Sequence, residues 1–221
     1  MTHALVVATH SHGKLAELRS LLSNMDLQVL SLSDVTRRDI TVVEDGDTFE
    51  ANALKKARAI ASATMMLTLA DDSGLEVDAL GGSPGVRSAR YAGERATDAE
   101  NNAALLAALD ALESELLGAR TGDYKARFRC VLVLVDPFVT DGEPVIVEGA
   151  CEGKITRTPR GWGGFGYDPL FLVDGTDKTM AELSEDEKNR LSHRARATDK
   201  LRLVLDKTLA ERDALTRRVV G

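Results

Sequence analysis

An apolar run that ends in two adjacent carboxylates constrains the fold of this chain most strongly. Residues 65–70 read Met-Met-Leu-Thr-Leu-Ala, and Asp71, Asp72, Ser73 and Gly74 follow. The pattern predicts a buried strand that brings both aspartates to the edge of a sheet, followed by a tight turn. Because consecutive side chains of a strand point to opposite faces, one aspartate can hold a divalent metal while the other accepts backbone hydrogen bonds in the turn. The alternative is an Asx turn without chemistry.

Length, charge and cysteine content narrow the class of protein. The chain has 221 residues, and 28 Lys and Arg stand against 35 Asp and Glu, a net charge of −7. We expect one domain or one domain with two lobes. An acidic chain lacks the basic face that a nucleic-acid partner requires, although a local basic cluster and a metal can bind a small polyphosphate. Two cysteines predict no disulfide framework and fit a reducing, cytoplasmic location. We expect neither a signal peptide nor a membrane span, because the N-terminus has no basic region and no apolar run reaches roughly 18 residues.

A strand, a polar turn and a helix are predicted at the start of the chain. Residues 4–9 form an apolar run, residues 9–14 are the turn, and the leucines that follow recur at helical spacing at Leu15, Leu18, Leu21 and Leu22. Hydroxyl groups, a glycine and a lysine at a helix N-terminus are typical of a phosphate site. An ordinary strand–helix connection is the alternative. We expect His10 and His12 to be surface residues rather than metal ligands.

The next elements follow from helix caps and apolar faces. We expect a strand at residues 28–32, an acidic turn around Glu44, and a helix from Phe49 to about residue 63 that Asp47 or Thr48 caps. That helix has one apolar face, and its cluster of Lys55, Lys56 and Arg58 is usually a solvated surface. Residues 81–91 are rich in glycine and predict a loop.

Capping boxes and β-branched runs organise the second half of the chain. The boxes at residues 97–100 and 184–187 begin two helices, the first ending near Leu117 and Gly118. Residues 127–135, 145–149 and 170–173 predict strands, with a hairpin turn at residues 136–143. Ile155 continues the second of them after Gly153. A final helix begins at residues 192–194, and its core candidates are Leu201, Leu203, Val204, Leu205 and Leu209.

Two further stretches can carry chemistry. Residues 160–169 place four glycines among three aromatic residues, so a ligand can approach the backbone closely and a base can stack on a ring. An aromatic-pinned turn before a strand is the alternative. His193 and Arg194 stand at a helix start, where the helix dipole disfavours cations unless an anion or an acceptor ligand uses them.

Taken in order, these segments resemble the inosine/xanthosine triphosphate pyrophosphatases, from Val6 to about Leu205. The matching positions are residues 8–14, 48–49, 52–53, 56–57, 70–75, 84–85, 88–91, 163–169 and 192–194. Two positions depart from the family pattern: Ser11 stands where an asparagine is expected, and Ala51 where an acid is favoured.

The resemblance implies a fold and an activity. The expected fold is α/β, a long twisted mixed sheet flanked by helices, with two lobes and a central cleft in a single domain of residues 1–221. The expected activity is Mg²⁺-dependent hydrolysis of non-standard purine nucleoside triphosphates (ITP, dITP and XTP) to the monophosphate and pyrophosphate, which cleanses the nucleotide pool. The family also implies a homodimer.

The resemblance further implies roles for individual residues. Asp72 and Glu44 would hold Mg²⁺, and Asp72 would accept the proton of the attacking water. Thr9, Ser11, Lys14 and Lys56 would hold the triphosphate, and Ser73 would contact the nucleotide. His10, His12 and Gly13 of the same loop are also expected to bind the substrate. The residues expected at the base are Phe165 as the stacking ring, Gly166, Tyr167 and Asp168 beside it, and the donors Lys188, His193 and Arg194.

Two other functions are compatible with parts of this pattern. The chain could act on other modified nucleotides, such as modified pyrimidines or dUTP, but residues 165–169 and 192–194 argue against that. It could also bind a nucleotide without turnover, although binding alone does not require the carboxylates of Asp72 and Glu44.

Overall fold

Among the residues that the structure describes, six strands form one sheet. The computed structural model describes residues 3–38, 40–115, 124–138 and 143–220. The strands are β1 His3–Ala8, β2 Leu27–Leu30, β3 Thr68–Val77, β4 Tyr124–Val135, β5 Val145–Ile155 and β6 Phe171–Val173. Their order in the sheet is β2-β1-β3-β4-β5-β6. Strand β1 pairs in parallel with β2 and β3, whereas β5 and β6 are antiparallel, which confirms the predicted mixed sheet.

Helices connect and flank these strands. They are α1 His12–Leu21, α2 Leu32–Val35, α3 Phe49–Thr64, α4 Asp98–Glu115, α5 Glu185–Leu191 and α6 His193–Val220. The predicted caps are confirmed: Thr48 Oγ1 accepts the Ala51 amide at 3.1 Å, and capping boxes begin α4 and α5. Within the described parts of the chain, no helix is both long and apolar enough to cross a membrane. Both cysteines are buried free thiols.

The chain divides into two compact units. The first comprises residues 1–72, 130–149 and 194–221, and the second comprises residues 73–129 and 150–193. In the first unit, α1 and α6 pack on the sheet around a core of Leu5, Val7, Leu15, Leu18, Leu22, Leu67, Leu69, Cys130, Leu132, Leu134, Ala197, Leu201 and Leu205. Leu203 was expected in this core but is 79 % exposed. Residues 201 and 205 are one helical turn apart and share a face, whereas residue 203 lies on the opposite face.

The second unit has its own core. Leu105 and Leu109 of α4 are completely buried there, as their helical spacing predicts. They pack with Leu75, Val77, Tyr124, Ala126, Phe128, Cys151, Ile155, Tyr167, Leu170, Phe171, Val173, Met180 and Leu183.

The predicted tight turn after Asp72 is wrong. Strand β3 continues through the Asp-Asp-Ser-Gly stretch to Val77. The glycine serves a close approach instead: a Cβ at Gly74 would lie 2.4 Å from Ser88 Oγ and 2.6 Å from the Gly85 carbonyl oxygen. Ser88 Oγ accepts the Leu75 amide at 2.9 Å and donates to the Gly85 carbonyl at 2.7 Å. The predicted loop at residues 81–91 contains a 3₁₀ helix, Gly85–Arg90, that this contact secures.

We therefore expect Gly74→Ala to destabilise the protein by about 1–3 kcal/mol, the usual cost of overpacking a closely packed site. Chemical denaturation followed by circular dichroism measures the change. Replacing exposed Ala63 with Gly at the α3 surface is a control for a single methyl group elsewhere, and it should cost about 1 kcal/mol or less. An unchanged midpoint for Gly74→Ala would show that the segment at Ser88 moves away without cost.

Two predicted features fall partly outside the described residues. Leu117 and Gly118, the expected end of α4, lie there, as does much of the expected hairpin turn between β4 and β5.

Candidate active site

Two carboxylates and one ammonium group meet in the first unit. Lys56 Nζ donates to Glu44 Oε2 at 2.7 Å and to Asp72 Oδ1 at 2.9 Å. Asp72 lies on β3, Lys56 on α3 and Glu44 in the segment before α3. The side chains of Lys56 and Asp72 are only 11 % and 9 % exposed. The interpretation of the α3 cations as a solvated surface is therefore wrong for Lys56, whereas Lys55 and Arg58 are exposed.

The local sequence explains how Glu44 and Lys56 reach this cluster. Lys56 lies on the buried face of α3, three residues after Ala53 and seven after Phe49. On the same face, Asn52 Oδ1 accepts the Gly46 amide at 2.8 Å, and Asn52 Nδ2 donates to the Gly46 carbonyl at 3.3 Å. This pair of bonds holds the acidic segment that carries Glu44 against the helix. Sequence reasoning missed this role of Asn52, because an early helical asparagine resembles an ordinary capping residue.

The cluster makes Asp72 a weaker acid than usual. Burial raises the pKa of Asp72 to about 6; the charges of Lys56 and Lys14 oppose the shift, and the charge of Glu44 adds to it. Burial acts on Glu44 too, but the charge and hydrogen bond of Lys56 hold the pKa of Glu44 below its ordinary value. A carboxylate with a pKa near 6 is ionised at neutral pH and is a better base than an ordinary aspartate, as proton abstraction from water requires.

The two carboxylates fit a magnesium ion only with help from a ligand. Among the residues that the structure describes, no group of three or more His, Cys, Asp and Glu side chains could hold a metal ion. Mg²⁺, however, binds through one or two carboxylates and completes its oxygen shell with water and phosphate. Glu44 and Asp72 converge on the single cation of Lys56 at hydrogen-bonding distances, so this donor set fits such a shared site.

Asp71 is completely buried and belongs to a separate network of charged side chains. Its carboxylate accepts from Arg194 Nε at 2.7 Å, from Lys14 Nζ at 2.8 Å and from the Cys130 thiol at 3.2 Å. Arg194 also pairs with Glu17. Although burial acts in the opposite direction, the charges of Arg194 and Lys14 hold the pKa of Asp71 well below its ordinary value. Asp71 therefore stays ionised and links β3 to α1 and α6.

The expectation that the adjacent aspartates have different roles agrees with these contacts, but the predicted role of Asp71 in a turn is wrong. Three side chains bind its carboxylate, and the strand continues past it. The network also explains how α6 begins with a cation: Asp71 and Glu17 offset the unfavourable interaction of Arg194 with the helix dipole. The guanidinium of Arg194 is 1 % exposed. Its role as a donor to a base stays a prediction.

The loop before α1 provides hydroxyl groups and a lysine. Ser11 caps α1, and its Oγ accepts the Lys14 amide at 3.3 Å while its own amide donates to Thr9 Oγ1 at 3.1 Å. Serine thus maintains the cap at the position where the family favours asparagine. His10 and His12 are exposed, in agreement with their interpretation as surface residues, and Gly13 lies in the first turn of α1.

The glycine-rich stretch of the second unit is held by hydrogen bonds. Buried Asp168 accepts the Phe165 amide at 3.3 Å, and the Tyr167 hydroxyl donates to the Ser88 carbonyl at 2.9 Å. The Gly166 amide donates to Asp98 Oδ2 at 2.7 Å. Sequence reasoning assigned no role to Asp98 beyond its place in a helix start. The aromatic-pinned turn is thus present, and Phe165 is half-buried. Its role as a stacking ring for a base stays a prediction.

The predicted donors of the second unit are also engaged. Lys188 Nζ lies 2.8 Å from Asp168 Oδ2, and both side chains are largely buried. Gly164 permits this contact, because a Cβ there would lie 1.8 Å from the same oxygen. The His193 ring stacks on Phe128 with centroids 4.9 Å apart. The structure thus places Phe165, Gly166, Tyr167, Asp168, Lys188 and His193 in the second unit, together with Ser73.

These features define an α/β protein with an open mixed sheet, an acidic pair around a buried lysine, and a hydroxyl-rich loop before its first helix. The model of the Ham1 family matches residues 5–204, and the chain belongs to this family.

Relatives and solved structures agree with this assignment. The chain is 48 % identical over 202 residues to the dITP/XTP pyrophosphatase of Shouchella clausii, an alignment that covers 91 % of this chain and 96 % of that protein. It is 47 % identical over 201 residues to the Bacillus subtilis protein of the same name, with 91 % and 96 % covered. The structure of a HAM1 protein from Coxiella burnetii is similar at a TM-score of 0.78 and 42 % identity, covering 93 % of this chain and 99 % of that one.

Proposed function

We propose that this chain is a nucleoside triphosphate pyrophosphatase that hydrolyses non-standard purine nucleoside triphosphates such as ITP, dITP and XTP. The observation that carries the proposal is the Glu44–Lys56–Asp72 cluster, in a chain that belongs to the Ham1 family. The names of its relatives support the choice of substrate. The alternative of binding without turnover leaves the raised pKa of buried Asp72 without a use.

The residues of the first unit suit the phosphate chemistry. Asp72 and Glu44 would hold Mg²⁺, which would neutralise phosphate charge and make a bound water more acidic. Asp72 accepts a proton from the water whose oxygen attacks the α-phosphorus. As that bond forms, the bond from the α-phosphorus to the bridging oxygen breaks, and pyrophosphate leaves. Lys14 and Lys56, with the hydroxyl groups of the loop before α1, bind the negative charge of the triphosphate.

We assign selection of the base to side chains that donate hydrogen bonds. Hypoxanthine and xanthine carry an oxygen acceptor at position 6, where adenine has an amino group. Lys188, His193 and Arg194 are the donors proposed for that oxygen, and Phe165 is the proposed stacking ring. A buried donor that faces an amino group loses its hydrogen bond, and such a mismatch can reduce kcat/KM by about 10⁴. A homodimer is proposed from the family resemblance, and a cytoplasmic location from the low cysteine content.

The test is pyrophosphate release from ITP, dITP, XTP, ATP, GTP, dUTP and TTP, with and without Mg²⁺. We expect release that requires Mg²⁺ and is restricted to ITP, dITP and XTP. Equal release from all seven nucleotides would support the carboxylate site and contradict the proposed selection of the base. ITP binding without turnover of any nucleotide would favour a binding protein and contradict the proposed function.

The raised pKa of Asp72 predicts an acid limit for activity. A protonated carboxylate cannot accept a proton, so kcat/KM at a fixed, subsaturating Mg²⁺ concentration should fall below about pH 6, by about tenfold per pH unit. In Lys56→Gln the limit should move to higher pH, because the charge of Lys56 favours ionised Asp72. Rate profiles between pH 4.5 and pH 8 measure both. If the acid limit of Lys56→Gln lies at the same pH as that of the wild-type protein, a group other than Asp72 sets it.

A further inference from the structure

A pocket of about 560 Å³ lies in the first unit beside the loop that precedes α1. Residues 9–12 and Leu15 line one part of it, and residues 31–33, 36–38 and 40 line the other. Its volume is within the range of small-molecule sites. Two consecutive arginines in its lining, Arg37 and Arg38, have no place in the active site described above.

The lining of this pocket is rich in hydrogen-bond donors. Arg37 and Arg38 each provide a planar, permanently charged guanidinium, and the structure gives neither side chain an ion pair within the described ranges. Thr9 Oγ1 and Ser11 Oγ each accept a backbone amide, from Ser11 and Lys14 respectively. Because a hydroxyl is both acceptor and donor, these contacts leave the hydroxyl protons of Thr9 and Ser11 available to an anion.

The charges near the pocket favour an anion as well. The whole chain carries a net charge of −7, so a pair of adjacent arginines at one pocket departs from its average character. Among the described residues of α2, Asp34 is engaged elsewhere: its carboxylate pairs with Arg19 at 3.1 Å and caps α2 through Ser31. One guanidinium binds two oxygens of a phosphate at once, so two arginines match a diphosphate better than a single phosphate.

We propose that Arg37 and Arg38 complete a diphosphate-binding site in this pocket. It takes the β- and γ-phosphoryl groups of the nucleotide and, after cleavage, the pyrophosphate that leaves. The identity of the nucleotide rests on the proposed function, whereas binding of pyrophosphate does not. Residues 9–12 belong both to the predicted triphosphate loop and to the pocket, so the two sites are continuous.

The experiment is calorimetric titration of the full-length protein with inorganic pyrophosphate, and separately with orthophosphate. Arg37→Gln and Arg38→Gln are compared with Arg58→Gln, which removes the same charge from an exposed position of α3 outside the pocket. We expect each pocket variant to weaken pyrophosphate binding about tenfold, the effect of one charge-assisted hydrogen-bonding group, and the control to change it by less than about twofold.

Several results would overturn the proposal. The first is that the wild-type protein does not bind pyrophosphate. The second is that the pocket variants and the control bind pyrophosphate with equal affinity. The third is that the pocket variants lose as much affinity for orthophosphate as for pyrophosphate, which indicates general charge attraction. A higher KM for ITP in the pocket variants supports contact with the substrate, and an effect on pyrophosphate inhibition alone supports contact with the product. If the wild-type protein binds pyrophosphate through these arginines but hydrolyses no nucleotide, the proposed function fails and the diphosphate site stands. If the protein hydrolyses the nucleotides as expected but the pocket variants bind pyrophosphate as tightly as the wild-type protein, the diphosphate site fails and the proposed function stands.

Discussion

Asp72→Asn is expected to reduce kcat for ITP by about 10³-fold, the range for loss of a general base, while ITP still binds. Asparagine has the same shape and can accept the hydrogen bond that Lys56 donates to Asp72 Oδ1, so the cluster should keep its geometry. It cannot accept a proton, and it is a weaker ligand for Mg²⁺. Binding should persist because the lysines and the loop before α1 bind the triphosphate, and the variant has one negative charge fewer near it.

Pyrophosphate-release assays with ITP measure kcat, and calorimetric titration with ITP measures binding by the same variant. Asp45→Asn is the matched control: it removes one carboxylate from the same acidic segment, at an exposed position where Asp45 pairs with Lys55 at 2.6 Å. We expect this control to change kcat by less than about twofold, as for a surface ion pair. Turnover by Asp72→Asn at the wild-type rate would show that another group accepts the proton.

The second large effect is expected at Arg194, where replacement by Met should destabilise the fold by about 3–5 kcal/mol. The substitution removes the Arg194 cation from the buried carboxylate of Asp71, where Lys14 stays, and a buried charge that loses a partner is costly. For a chain of this length, the midpoint of thermal unfolding should fall by roughly 6–20 °C. Arg196→Met, at an exposed position two residues further along α6, should cost less than about 0.5 kcal/mol.

A double-mutant cycle with Asp71→Asn separates the ion pair from packing. If Arg194 and Asp71 stabilise each other, the double variant should lose less stability than the sum of the two single variants. Additive losses would contradict a coupled pair. The predicted contact of Arg194 with the base is tested on Arg194→Lys, which keeps the charge. A smaller ratio of ITP to ATP turnover in this variant supports base recognition, and an unchanged ratio assigns Arg194 to the network with Asp71 and Glu17 alone.

Periodicity and capping patterns were sufficient for most of the secondary structure. The leucines of α1 predicted a helix with one buried face, and Leu15, Leu18, Leu21 and Leu22 are all buried. The caps of α4 and α5 were visible because a Ser or Thr three residues before a Glu is a local signal, and the cap of α3 because Thr48 directly precedes an apolar helical face. An apolar residue type alone was a weaker signal: Leu203 is exposed because it lies on the face of α6 opposite buried Leu201 and Leu205.

The stretch from Asp71 to Gly74 shows the limit of local patterns. Two acids, a serine and a glycine are typical of a turn, but the tertiary structure extends β3 through them. The glycine is required because the segment at Ser88 packs against its backbone, and that segment is 14 residues further along the chain. No local window contains this contact.

What could be derived from the order of residues was the set of elements, the mixed α/β class and the family pattern, because these depend on neighbours in sequence and on short motifs. The burial of Lys56 between Glu44 and Asp72, the ion pairs of Arg194 with Asp71 and Glu17, and the pocket at Arg37 and Arg38 depend on distant segments meeting. The charge state of Asp72 belongs to the same group, since burial and the neighbouring charges of the folded chain set its pKa.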